Sequence, residues 1–228
     1  MLSESEQDYL KTIYKLQHEH DANQSVNTNH LAETLNVAAA SVTNMLKNLA
    51  QMKLVNYEPY RGVRLTREGM KIALEVIRHH RLIELYLSKA LGVPWDQVDQ
   101  EAEKWEHVLS EDIADRIDAY LGNPTHDPHG SPIPTKCGIM PRHNAIPLSE
   151  LEAGQSGVIV EVSDHEPSLL RYLSELGLTP NKRLRVIARE PFNGPISVKV
   201  GRSRRVIGFE VAQYIHVGSV ESPSKKQV

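Results

Sequence analysis

"LAETLNVAAASVTNMLKNLAQMKLVNYEPYRGVRLT", residues 31–66, is the stretch on which the fold turns. Leu31, Ala32 and Leu35 recur at helical spacing, and Asn36 stands where a tight turn needs a residue that tolerates positive φ. Beyond the turn, Val42, Met45, Leu46 and Leu49 form an apolar stripe, which leaves Ser41, Thr43, Asn44, Lys47 and Asn48 facing outward on the next helix. Two β-rich runs follow, around Val55 and from Val63 to Leu65, joined by a turn that holds Pro59 and Gly62. Working upstream, residues 3–20 carry Leu10, Ile13, Tyr14 and Leu16 at near-helical spacing behind a Ser3/Glu6 capping box, and "HDANQS" (20–25) breaks that helix. Helix, helix, tight turn, helix and two-stranded wing make a winged helix-turn-helix. In that motif the third helix enters the DNA major groove and the wing reaches the backbone.

Charge is divided along the chain in a way that its net value of −3 hides. From 38 to 81 there are eight Lys or Arg against three acids, a net +5, and from 82 to 130 eleven acids against three bases, a net −8. A basic front section suits phosphate, and an acidic middle section suits cations or plain solvation. The 228 residues are 40% apolar and 24% charged, with no apolar run approaching the roughly 20 residues that span a bilayer. The N-terminus lacks a basic region followed by an apolar run, so no signal peptide and no membrane partner are expected, and a cytoplasmic location follows. The single cysteine, Cys137, cannot form an intrachain disulfide and reads as an inert loop thiol.

Working downstream from the wing, a long helix is expected from Thr66 to about Ala90, and another from about Pro94 to Tyr120. The second has Val98, Ala102, Trp105, Val108, Leu109, Ile113 and Ile117 on one side, more apolar surface than a single partner helix covers, which predicts a homodimer. Residues 121–147 are proline-rich and read as a connector. After them "SGVIVEVS", "RLRVIARE", "ISVKVG", "SRRVIGFEV" and "YIHVG" read as closely spaced strands, with a helix at "SLLRYLSELG", and a small SH3-like β-barrel is expected. The basic runs "KRLRVIAR" and "GRSRR" in that barrel read first as solvated faces. The fold class is therefore α+β and multidomain.

The chemistry concentrates in "EAEKWEHVLSE", residues 101–111. On a helix, Glu103, Glu106 and His107 share one surface and can close on one ion, yet spacing alone favours an ordinary wet face. Other donors bear on the choice. Asp8 lies beside the apolar stripe of the first helix, His80 and Glu84 stand at i and i+4 on the long helix, and Asp99 lies one turn before Glu103. Carboxylates and imidazoles drawn from three helices make one or two oxygen and nitrogen sites.

The strings "DYLKTIYKL", "YRGVRLTREG", "HHRLIELYL", "EAEKWEHVLSE" and "HDPHGSPIP", together with the helix-turn-helix, resemble the diphtheria-toxin-repressor family of metal-dependent transcriptional regulators over nearly the whole chain. The C-terminal barrel resembles the SH3-like, FeoA-type domain of the longer members. The resemblance implies a primary metal site at Asp8, Glu103, Glu106 and His107 and an ancillary site at His80 and Glu84. Asp99 stands where some relatives place a histidine ligand. "HDPHG" resembles the "CPHG" of others, which makes Asp127 and His129 ancillary candidates, with Asp164 or Glu166 from the barrel. Where iron sensors of the family carry a methionine and a cysteine, this chain has Asp8 and Glu103. Hard carboxylates in place of sulfur suit Mn(II), and Fe(II) accepts the same donors. Lys11 falls where a short manganese sensor has another acid, so a close two-metal cluster of that type is not expected.

These readings divide the chain into a winged helix-turn-helix (1–72), a helical metal-binding and dimerisation part (73–123), a linker (124–147), the barrel (148–220) and a disordered tail (221–228). On DNA, Lys47, Arg61 and Arg64 would supply phosphate affinity, Ser41, Thr43 and Asn44 would reach base edges, and Ala38 and Ala40 would pack on thymine methyls. The function expected is a homodimeric repressor, activated by Mn(II) or Fe(II), that binds a palindromic double-stranded operator and controls metal-uptake genes. Two other classes stay open on the residues alone: a metalloenzyme using the carboxylate and histidine cluster, and a winged-helix regulator that answers an organic ligand. No nucleophile elbow or phosphate-cradling glycine loop supports the enzyme.

Overall fold

The computed structural model describes residues 2–20, 25–141, 144–164 and 166–222; most of the expected break at 20–25 and nearly all of the expected tail lie outside them. The chain forms two compact units. The first is built from Met1–His80, Glu103–Asp115 and Pro134–Pro141, and the second from the remaining described segments.

In the first unit α1 (Glu4–His20) begins with the expected capping box: Ser3 N–H donates to Glu6 Oε2 at 2.8 Å and Glu6 N–H to Ser3 Oγ at 3.3 Å. Leu10, Ile13 and Leu16 bury one face of it against Leu31 of α2 (Thr28–Thr34) and Val42, Leu46 and Leu49 of α3 (Ala39–Gln51). Asn36 takes φ +52 between the two helices, as the tight turn requires. The wing pairs β1 (Val55–Glu58) with β2 (Gly62–Leu65) in antiparallel register, Val55 opposite Leu65. Gln17, buried on α1, accepts the Leu65 N–H at 3.0 Å and so fixes the wing to the first helix.

α4 (Arg67–Leu91) starts in the first unit and ends in the second. The long helix expected from Pro94 to Tyr120 is instead two, α5 (Val98–Trp105) and α6 (Glu111–Tyr120). Ser110 explains the break. Its carbonyl accepts the Ala114 N–H at 2.9 Å and its hydroxyl the Ile113 N–H at 3.4 Å, so it caps a new helix whose first turn is acidic.

The second unit carries a six-stranded antiparallel sheet made of β3 (Ile146–Pro147), β4 (Ser156–Val162), β5 (Arg183–Arg189), β6 (Ile196–Val200), β7 (Ser203–Ile207) and β8 (Ile215–Glu221). Their order is β3-β8-β4-β5-β6-β7. The two outer strands are not paired with each other among the described residues, so the SH3-like barrel is open on that side. Strand alternation fills it: Leu184 and Val186 of β5 meet Val198 and Ile196 of β6, together with Leu170 and Leu173 of α7 (Pro167–Leu176). The run "SRRVIGFEV" is a strand only to Ile207; Gly208 then starts a short helix, α8 (Phe209–Gln213).

Within this unit the 127–131 loop is held tightly to β4. Val162 N–H donates to the His129 carbonyl at 2.9 Å, and a Cβ on Gly130 would stand 1.9 Å from the Val160 carbonyl oxygen at φ +92. Only glycine fits there. Gly130→Ala is expected to cost about 2 kcal/mol or more of stability, read as a lowered melting temperature of the metal-free protein. An unchanged melting curve would mean that the loop is not held as described.

Candidate metal centre

Asp8 and Lys11 stand one turn apart on α1, and the turn after α5 presents Glu106 and His107 to them. One donor atom each from Asp8, Glu106 and His107 lie within 4.8 Å of one another. His107 Nδ1 is 3.0 Å from Gln7 Oε1, an amide oxygen that only accepts, so the ring proton sits on Nδ1. The Nε2 lone pair then faces Asp8 Oδ1 at 3.0 Å and Glu106 Oε1 at 3.4 Å. Three acceptors converge where nothing donates, and Asp8 Oδ1 is buried without a hydrogen bond. This donor set fits a divalent cation.

Beside it sits a cation that belongs to the chain. Lys11, 5% exposed, places Nζ 2.7 Å from Glu103 Oε1 and 2.6 Å from Glu106 Oε1. His80 Nδ1 bonds the other oxygen of Glu106 and lies 3.9 Å from Glu103 Oε1. Burial pushes the Glu106 carboxyl up, but the bond from His80 and the charges of His80 and Lys11 outweigh it and hold the group below its ordinary value. Burial also pushes Asp8 up, and the nearby His107 and Lys11 only partly oppose this. Lys11 is held above its ordinary value, because Glu106 and Glu103 outweigh its desolvation.

A second cluster lies in the other unit. Glu84, Asp127 and His129, all buried, bring donor atoms within 4.8 Å, and Glu84 is grouped in the same way with Asp99 and Asp164. His129 Nε2 donates to the Trp95 carbonyl at 2.7 Å, which leaves the Nδ1 lone pair 3.5 Å from Glu84 Oε1. Asp127 Oδ1 accepts from the backbone N–H groups of His129 (2.8 Å) and Ser131 (3.0 Å), while Oδ2 is buried without a hydrogen bond. Burial, then the Glu84 carboxylate, push Asp127 up to about 7 against the opposing Arg81 and His129.

The candidate residues thus distribute differently from their sequence pairing. His80 stands beside the Asp8 cluster and Glu84 joins Asp127 and His129. Asp164 is in the second cluster, whereas the exposed Glu166 accepts from Ser168 Oγ at 3.3 Å and is not among its donors. On the DNA face Ala38, Ala40, Ser41, Asn44, Lys47 and Arg61 are exposed, and Thr43 and Arg64 are half-buried. Thr43 Oγ1 donates to the Ala39 carbonyl at 3.0 Å, and Asn48 is tied to Glu6 at 2.9 Å. A cleft of about 550 Å³ between α3 and the wing is lined by Thr43, Lys47, Arg61 and, unforeseen, Asn27, Asn29 and Tyr60. Sequence reasoning also missed Gln7, which no spacing rule singles out, and the bonds of Lys11, whose i+3 relation to Asp8 is visible in the string.

Comparison with known proteins adds an independent line. Residues 1–63 match the iron dependent repressor N-terminal DNA binding domain, 66–135 the iron dependent repressor metal binding and dimerisation domain, and 146–218 the FeoA domain. Over 224 residues the chain is 32% identical to the iron-dependent repressor IdeR of Mycobacterium tuberculosis, covering 93% of this chain and 96% of that one. A solved manganese-dependent transcriptional repressor in complex with manganese is similar at a TM-score of 0.85 and 39% identity, over 93% of this chain and 98% of the other. The apo form of the manganese-activated repressor ScaR gives 0.77 and 31%, over 94% and 99%.

Two consequences are measurable. Lys11→Met leaves the fully buried Glu106 short of a cation and is expected to destabilise the chelated protein by about 3 kcal/mol, with a larger stabilisation by Mn(II) than the unaltered protein shows. A melting temperature insensitive to the substitution would contradict the pairing. For Asp127 the folded-state value of about 7 lies above the ordinary 3.8, so its stabilising contribution is complete below about pH 4 and fades as pH rises to about 7. Chelated Asp127→Asn, which cannot ionise, is expected to lack that slope, to the extent of a few kcal/mol in denaturant titrations; an identical pH dependence would refute the assignment.

Proposed function

The chain belongs to the iron-dependent repressor family, and from that membership we propose that this member answers to Mn(II) through Asp8, Glu106 and His107. It is a metal-dependent, DNA-binding transcriptional repressor and not an enzyme, with a DNA-binding domain and a dimerisation domain that makes it a homodimer. The finer reading rests on the 3.0 Å approach of Asp8 to His107 Nε2, a lone pair and a carboxylate that oppose each other unless positive charge is supplied between them. When bound, a divalent cation supplies that charge to Asp8, Glu106 and His107, with Glu103 and His80 beside them.

Asp8 belongs to the helix whose Leu10 and Ile13 pack on the reading head. Glu106 and His107 belong to the turn between α5 and α6. Holding these three together therefore holds the reading head to that turn, and operator affinity rises with the fraction of molecules so held. Lys11 offsets part of the carboxylate repulsion at all times, so the metal-free protein is loosened rather than undone. Oxygen and imidazole donors without sulfur favour Mn(II), with Fe(II) the other candidate. Glu84, Asp127, His129, Asp164 and Asp99 offer a second station of the same chemistry.

On the DNA side, Ser41 and Asn44 read base edges, Ala38 and Ala40 meet thymine methyls, and Lys47 and Arg61 grip phosphates from either side of their cleft. Trp105, Val108 and Ile113 are exposed on the first unit, a surface for the second protomer, and the resulting two-fold axis calls for a palindromic operator in the cytoplasm.

The test is operator binding by fluorescence anisotropy across a series of metals. Mn(II) is expected to tighten binding at least about tenfold, and Glu106→Ala to abolish that gain while keeping the weak metal-free binding. Equal affinity with and without Mn(II), or an intact response in Glu106→Ala, would overturn the proposal.

A further inference from the structure

Between α4 and the first turn of α6 lies a group of donors for which the function above has no use. Glu75 and His79 stand one turn apart on α4 and Glu111 opens α6, and one donor atom from each falls within 4.8 Å of the others. His79 is only 5% exposed, whereas both carboxylates reach solvent. Its Nδ1 lies 3.4 Å from the Glu106 carbonyl oxygen, which only accepts, so the ring proton sits on Nδ1. The Nε2 lone pair is left 2.9 Å from Glu111 Oε1, another acceptor. Two acceptors at that distance need a cation to share. The backbone carbonyl that fixes the ring belongs to neither carboxylate, so the tautomer is an observation separate from the acidic cluster.

His107 and His129 follow the same pattern. Each is fixed at one nitrogen by an oxygen acceptor, Gln7 Oε1 and the Trp95 carbonyl, and turns the other nitrogen toward carboxylates. Metal-ligating histidines are oriented in this way in general. The bases of this region are engaged elsewhere: Lys71 pairs with Glu68, Arg78 donates to the Pro134 carbonyl at 2.9 Å, and Lys136, which feels Glu111, is paired with Asp115.

We propose that Glu75, His79 and Glu111 form a third divalent-cation site, open to solvent and suited by one imidazole and two carboxylates to a first-row transition ion rather than to magnesium or calcium. The site has a structural consequence. The His79 bond to Glu106 holds one end of the 106–110 segment and Glu111 begins at the other, so an ion at His79 pins both ends of the segment that carries Glu106 and His107. That coupling rests on the reading of Asp8, Glu106 and His107 as ligands; the third site does not.

Equilibrium dialysis of the chelator-treated full chain against Mn(II), with bound metal counted by mass spectrometry, tests it against the double variant Glu75→Gln, Glu111→Gln. Both positions are exposed, and thermal melts in chelator check that folding is kept. The unaltered protein is expected to saturate with one more Mn(II) per chain than the variant, which keeps the rest. Equal, non-zero stoichiometry overturns the third site alone and leaves a protonated His79 paired with Glu111. No bound Mn(II) in either protein overturns this site and the proposed function together.

Discussion

The structure of the first unit depends on how one fully buried carboxylate is compensated. Glu106 is 1% exposed, and such a group is tolerated only when paired and hydrogen-bonded. Lys11 and His80 hold its two oxygens, and His107 approaches one of them. Because Lys11 is on α1 and Glu106 follows α5, compensating this one charge also joins the reading head to the turn that bears His107. Three carboxylates, Asp8, Glu103 and Glu106, meet one lysine there. The charge left over is two, that of a single divalent ion, which reconciles a buried lysine with a metal centre in the same few ångströms.

A second constraint recurs. In three places a backbone or amide oxygen takes one ring nitrogen of a histidine and so directs the other at carboxylates: Gln7 at His107, Trp95 at His129, Glu106 at His79. Such placement costs the metal-free protein electrostatic energy, visible in the raised Asp127 and Asp8, and stores it as affinity for positive charge. Fold and binding are therefore coupled through the same side chains.

Much of this was legible before any coordinates. The 3.6-residue stripe of Val42, Leu46 and Leu49, the left-handed Asn36 and the alternation of β5 are local signals, and local physics enforced them. The break at Ser110 was hidden because the apolar positions keep helical phase across it, although a serine followed by two acids is a helix start. His80 and Glu84 share a face by spacing, yet each meets a different set of donors, since the choice is made by residues far away in sequence. Glu166 and Asp164 flank the same turn in the sequence, and only the path of the backbone tells which of them points inward. The orienting acceptors Gln7 and the Trp95 carbonyl leave no trace in composition at all.

The central claim is that one cation is shared by α1 and the turn after α5. The direct measurement is an anomalous difference map at the manganese edge from crystals grown with Mn(II). The account predicts a peak within about 2.2 Å of Asp8 Oδ1, a Glu106 oxygen and His107 Nε2, with Lys11 still paired to Glu103. A map with no peak among those three side chains would contradict it.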